Sequence, residues 1–234
     1  MRNIQIVASI AVLQLGCASS HGTAPDDMSV AHHEQAAGQE QAVAQQHADQ
    51  YDPSQQQSPF PACNADGPCW TSVTNPTEQH RKDAESHREY AAKHRAAAQA
   101  LRDAESQSCG DLAERDRDTS PFYHREDIAS VSKIDRQVPR GKAQIEVIRG
   151  ARAVFRAVPG LTSEWLQRLV NCHRARAAAV GYDMKGMEYC PLALKGVTAV
   201  VSSTGDGFAV DVTSDDPAVA AEAWRRVSAL KPAL

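Results

Sequence analysis

Three His-Arg pairs, His80-Arg81, His87-Arg88 and His94-Arg95, recur every seven residues, and Leu101-Arg102 takes the next place. Ala84, Ala91 and Ala98 stand three residues before His87, His94 and Leu101. This is an a/d heptad with Ala at a and His at d. An earlier stretch repeats the scheme, with Val30, Ala37, Ala44 and Tyr51 at a and His33, Glu40 and His47 at d. Residues seven apart on one helix lie about 10.5 Å apart along the axis, too far to share an ion. Two facing helices can bring donors together. An antiparallel hairpin would pair His33 with His94, Glu40 with His87 and His47 with His80, six candidate metal ligands in all. Imidazole and carboxylate suit zinc, copper or nickel. Imidazoles also charge near pH 6.5, so the seam could respond to pH. The same composition equally fits a solvated helix pair with no ligand, and the connector between the two heptad stretches is long for a helix hairpin.

The cysteines offer a second chemistry. Cys63 and Cys69 flank Gly67 and Pro68 in a loop and are expected to pair. Cys172, within a helical pattern, is expected to pair with Cys190. A straight helix over 76–108 would span about 50 Å, so Cys69 cannot reach Cys109, which is left odd. A thiol at Cys172 would instead give a soft set, Cys172, His173, Met184, Met187 and Cys190, of the kind that takes copper. No Gly-rich phosphate loop, Gly-x-Ser-x-Gly elbow or His-Glu-x-x-His is present. Asp116, Asp118, His124, Glu126 and Asp127 form a polar cluster that reads as a solvated loop. The chain is therefore expected to be no enzyme and to need no cofactor, with zinc or copper as the alternative.

These residues need elements to hold them. Of 234 residues 39 are Ala, which lifts the hydrophobic share to 42% without supplying large side chains. Only seven large apolar residues fall within 22–111, against twenty-seven within 143–234. Seven buried side chains at about 1.5–3 kcal/mol each cannot offset the ordering of ninety residues. The expected fold class is α+β, an N-terminal Ala/His-rich helical segment followed by a small β-α-β-β-α domain. The boundaries are 1–16 for a signal, 17–28 for a tether, 29–111 for the helical segment with a Gln/Pro/Ser-rich connector, 112–142 for a charged linker and 143–234 for the compact domain. Ser29 caps the first helix; Asn75-Pro76 opens the second. In the domain, 144–158 reads as a strand or a pair bent at Gly150. Thr162 or Ser163 caps a helix bearing Trp165, Leu166, Leu169 and Val170. Two strands flank 204–207, and Asp216-Pro217 caps a last helix. The order resembles a ferredoxin-like unit lacking its final strand, with helices on one sheet face. A net charge of −4 with interleaved signs speaks against nucleic-acid binding.

The N-terminus reads MRNIQIVASIAVLQLG before Cys17: Arg2 is basic, and 4–15 is apolar but shorter than the roughly 20 residues a span needs. Gly16-Cys17-Ala18-Ser19-Ser20 resembles the lipobox of bacterial lipoproteins, departing from it at Gln14, where that family prefers Leu. The resemblance implies that Cys17 becomes the first mature residue and carries acyl chains. The remainder resembles lipoproteins of myxobacterial type, a likeness that carries no activity with it. The chain is thus expected in the cell envelope, anchored through lipid to a membrane (the periplasmic face of the outer membrane). An unknown envelope protein is its possible partner, and its role is structural or interactive rather than catalytic. Metal binding or pH response through the heptads is the alternative. An oxidising compartment favours disulfides.

Overall fold

A computed structural model describes residues 22–57, 62–63, 66–67, 69–70 and 73–230. The signal, Cys17 and the side chain of Cys63 lie outside the described residues.

Ser29 opens α1 (Val30–Gln50) by accepting the His32 N–H at 3.2 Å. The connector holds a two-residue ladder, β1 (Ala62–Cys63) against β2 (Cys69–Trp70), which sets Cys63 opposite Cys69. Cys69 is disulfide-bonded. The second helix, α2 (Glu78–Cys109), begins two residues later than the Asn75 cap suggests. Asn75 still organises the start, its Oδ1 accepting the Thr77 N–H at 2.8 Å while its Nδ2 donates to Asp52 O at 2.8 Å. The Asp52 N–H donates to Thr77 Oγ1 at 3.0 Å, so the end of α1 is tied to the start of α2. The helices run as an antiparallel hairpin, and Ala37, Ala44, Ala84, Ala91 and Ala98 are buried between them. Ala is thin, so the backbones approach closely and the polar d residues meet.

The head is an antiparallel four-stranded sheet in the order β3-β4-β6-β5. A short α3 (Glu114–Asp118) precedes β3 (Ile128–Arg140) and β4 (Ala143–Arg156). Then come α4 (Ser163–Ala179), β5 (Thr198–Thr204), β6 (Gly207–Thr213) and α5 (Pro217–Ser228). Thr162 Oγ1 caps α4 through the Trp165 N–H, and Asp216 caps α5 through Ala218 and Val219. Ala151, Ala153, Phe155, Val210, Val212 and Ala199 alternate along the strands into one core with Leu166, Leu169, Val170, Ala223 and Val227 of the helices. The opposite sheet face carries Arg152, bidentate to Asp211 at 2.6 Å, and the exposed Val200. The mixed α+β class stands, with helices on one face of the sheet.

Two boundaries need correction. Residues 112–142 are not a charged linker: they supply buried Leu112, Phe122 and Ile128 and the whole edge strand β3. The head is therefore β-β-α-β-β-α. Crossover α4 leaves a gap that β6 fills, the split arrangement of ferredoxin-like units. The edge beside β4 is occupied by β3, which comes from the preceding chain. Second, the stretch expected at 144–158 is a single strand, one of the two alternatives, but it runs over Ala143–Arg156 and bends at Gly150. There φ is +152° and a Cβ would lie 1.9 Å from Val212 O, so only glycine admits the β6 backbone. Beyond Gly150 the β3–β4 pair continues without β6 as a two-stranded arm.

The hairpin and head are one packed body. Disulfide Cys109–Cys172 ties the last turn of α2 to the middle of α4, with Cα atoms 4.7 Å apart. Arg176 of α4 reaches back to Glu105 at 3.7 Å and to Asp118 at 2.8 Å. Just past the C-terminus of α4, Gly181 (φ +71°) comes so close to Ser29 that a Cβ there would sit 3.1 Å from the serine Cβ. No helix among the described residues is long and apolar enough to cross a membrane.

Candidate metal centre in the helical hairpin

The hairpin register brings all six heptad candidates into three rungs between α1 and α2. Nearest the head, His33 and His94 meet with Nδ1 atoms 3.1 Å apart, both buried. His33 Nε2 lies 3.3 Å from Pro25 O. A carbonyl only accepts, so His33 Nε2 carries its proton, His33 Nδ1 accepts, and His94 Nδ1 donates. The pair is satisfied as two neutral rings. A second proton between the Nδ1 atoms would set two N–H groups against each other. Burial, and next the neighbouring His33, hold the His94 pKa below the usual imidazole range, with Glu40 opposing.

This sets the sign of an acid response. The unfolded chain takes up the His94 proton near pH 6.5, the folded chain only at lower pH. Between those values the unfolded state binds more protons. Stability is full above about pH 6.5 and falls as the pH drops below it. His173 of α4, also lowered by burial and donating Nε2–H to Thr119 O at 2.8 Å, adds to the same loss. Thermal unfolding followed between pH 7.5 and 5 should show Tm falling with acid, and His94→Gln should flatten that slope by one group's share. An unchanged slope in the variant would remove His94 from the account.

The middle rung is an imidazole–carboxylate pair, His87 Nδ1 and Glu40 Oε2 at 2.5 Å. At the far rung, His47 and His80 again meet with Nδ1 atoms 3.1 Å apart. Here a third donor enters, Asp83 Oδ2, 4.0 Å from His47 Nδ1. The donor atoms of His47, His80 and Asp83 all lie within 4.8 Å of one another, in half-buried surroundings. Gln79 Nε2 holds the other carboxylate oxygen of Asp83 at 2.7 Å, and the His87 ring stacks on His47 with centroids 5.5 Å apart. Reading by heptads missed Asp83. Its position three residues after His80, one turn along the same helix face, is the signal that finds it.

The other candidates separate. Expected pairing of Cys172 with Cys190 is corrected: Cys172 is bonded to Cys109, because α4 docks against the end of α2. The soft copper set through a Cys172 thiol goes with it. Cys190 is a buried free thiol, 3.1 Å from Ser120 Oγ, and burial pushes its pKa up. Such a thiol is a poor nucleophile. Cys69 is disulfide-bonded and lies opposite Cys63, whose side chain is outside the described residues. His124, Glu126 and Asp127 cluster on the turn before β3, with His124 and Glu126 exposed.

The chain is thus an α+β head joined by a disulfide to a histidine-seamed helical hairpin. No protein-family model matches the sequence, and comparison with curated proteins and with solved structures finds no similar chain.

Proposed function

We propose that this is an acyl-anchored envelope protein without catalytic activity, which takes up a divalent transition ion of the zinc, copper(II) or nickel class through its hairpin seam. The observation that carries the reading is the far rung, where two imidazoles and a carboxylate from two helices converge within 4.8 Å. Two imidazoles and a carboxylate form an N,N,O set of the kind that such ions bind. The lipobox-like Gly16-Cys17 supports the envelope location, and so does the buried Cys109–Cys172 bond, which suits an oxidising compartment. A proton-responsive role is the second reading, favoured by the inner His33–His94 pair, which is satisfied only as neutral rings.

Metal uptake is tested on protein purified without a histidine tag. Titration calorimetry with Zn²⁺ should give at least one equivalent per chain, and Zn²⁺ at a hundred times Kd should add about 2.7 kcal/mol to the stability. Stoichiometry well below one, with no change in Tm, sinks the reading.

A further inference from the structure

We infer that one ion binds per chain, at the far rung, held by His47 Nδ1, His80 Nδ1 and Asp83 Oδ2, with a fourth position left for water or a small exchangeable ligand; this rests on the metal reading above. Zinc bonds of about 2.0–2.2 Å set neighbouring ligand atoms roughly 3.2–3.5 Å apart in a tetrahedron. The two Nδ1 atoms stand at 3.1 Å and the carboxylate oxygen at 4.0 Å from His47. All three donor atoms lie within 4.8 Å of one another, so shifts of about an ångström or slightly more complete the set.

Three features prepare the rung. Gln79 occupies Asp83 Oδ1 and leaves Oδ2 for the ion. His47 is backed by the stacked His87 ring, itself fixed by Glu40, which places a second carboxylate one rung away from the incoming charge. The Asp52–Asn75–Thr77 hydrogen bonds close the hairpin just beyond His47 and His80, so the helix spacing is set before binding. In the metal-free pair one ring carries its proton on Nδ1. Both Nδ1 atoms coordinate only if that ring moves its proton to Nε2, a tautomer change that releases no net proton.

The other rungs fit less well. His33 and His94 share an Nδ1–Nδ1 bond as the far pair does, but here His33 Nε2 is also used on Pro25 O and the pair is buried away from solvent. Glu40 and His87 are two donors that satisfy each other. At the far rung the side chains of His47 and Asp83 keep 27% and 36% of their surface exposed, so an ion can enter and leave. Structural zinc sites are closed by four protein ligands, whereas three leave one position open to water or another small ligand.

The test uses the full chain with Co²⁺ as the optical probe and Zn²⁺ as competitor. One Co²⁺ per chain is expected, with visible d–d bands that one equivalent of Zn²⁺ abolishes. Asp83→Asn keeps the side-chain shape and should weaken Zn²⁺ binding at least about tenfold. His80→Gln should weaken it further. His94→Gln and His124→Gln should leave the stoichiometry and bands unchanged. Helical circular dichroism equal to the parent's shows that Asp83→Asn, at a half-exposed position, remains folded. Binding that survives Asp83→Asn and His80→Gln but is lost in His94→Gln or His124→Gln overturns this placement and leaves the metal reading standing. No binding by the parent overturns both.

Discussion

Replacing Cys109 and Cys172 together by Ala is expected to cost the protein about 4 kcal/mol of stability. The bond closes a loop of 63 residues in sequence separation, which includes α3, β3 and β4. Cutting it returns loop entropy to the unfolded chain, and the cost grows with the logarithm of loop length. Both half-cystines are buried, at 4% and 0% exposure, so the alanines also leave space that the core must close. The ion pairs of Arg176 with Glu105 and Asp118 lie partly in solvent and cannot take over the bond's role. Urea unfolding of parent and double variant gives the difference directly. A loss below about 1 kcal/mol would mean that the hairpin and head hold together without the bond.

Phe122→Ala should cost about 3–5 kcal/mol. Phe122 is fully buried and meets Phe155 of β4 edge-on, with ring centroids 5.6 Å apart. It sits on the turn Pro121–Tyr123, held by Ser120 Oγ accepting the Phe122 N–H. Truncation opens a cavity beneath the sheet, at the point where the chain enters β3. The adjacent Tyr123 is 63% exposed, and Tyr123→Ala should cost well under about 1 kcal/mol. Parallel urea curves of the two variants separate a structural segment from a linker. Equal, small losses would restore the linker.

That contrast shows what the sequence makes readable. The rungs could be foreseen because a heptad fixes which residues share a helix face, and Ala at a forces the d residues together. Both facts are local. The Cys109–Cys172 bond is not local: it follows from α4 packing on α2, and a Cys109 stranded before a supposed linker has no visible partner. Strand β3 was hidden for a different reason. Its apolar residues, Ile128, Val131, Ile134 and Val138, are spaced by three and four rather than two. Register shifts between Ile128 and Ser130 and between Ile134 and Asp135 break the alternation that marks a strand. Gly150 showed a bend but not its purpose, since the carbonyl of Val212 that needs the space belongs to a strand sixty residues on. Asp83 stands off the seven-residue period, one turn from His80 on the same helix face, so the heptad pattern does not single it out.

The close approach of Ser29 to Gly181 fixes the direction in which the hairpin leaves the head. Gly22, the first described residue, is five residues after Cys17, a reach of at most about 18 Å. The acyl anchor proposed at Cys17 would therefore attach at the head end of the hairpin, on the side of the His33–His94 pair. The His47–His80 rung lies fourteen residues farther along α1, about 21 Å from the inner pair. The two histidine pairs are thus held at different distances from the head, His33–His94 beside it and His47–His80 beside the connector.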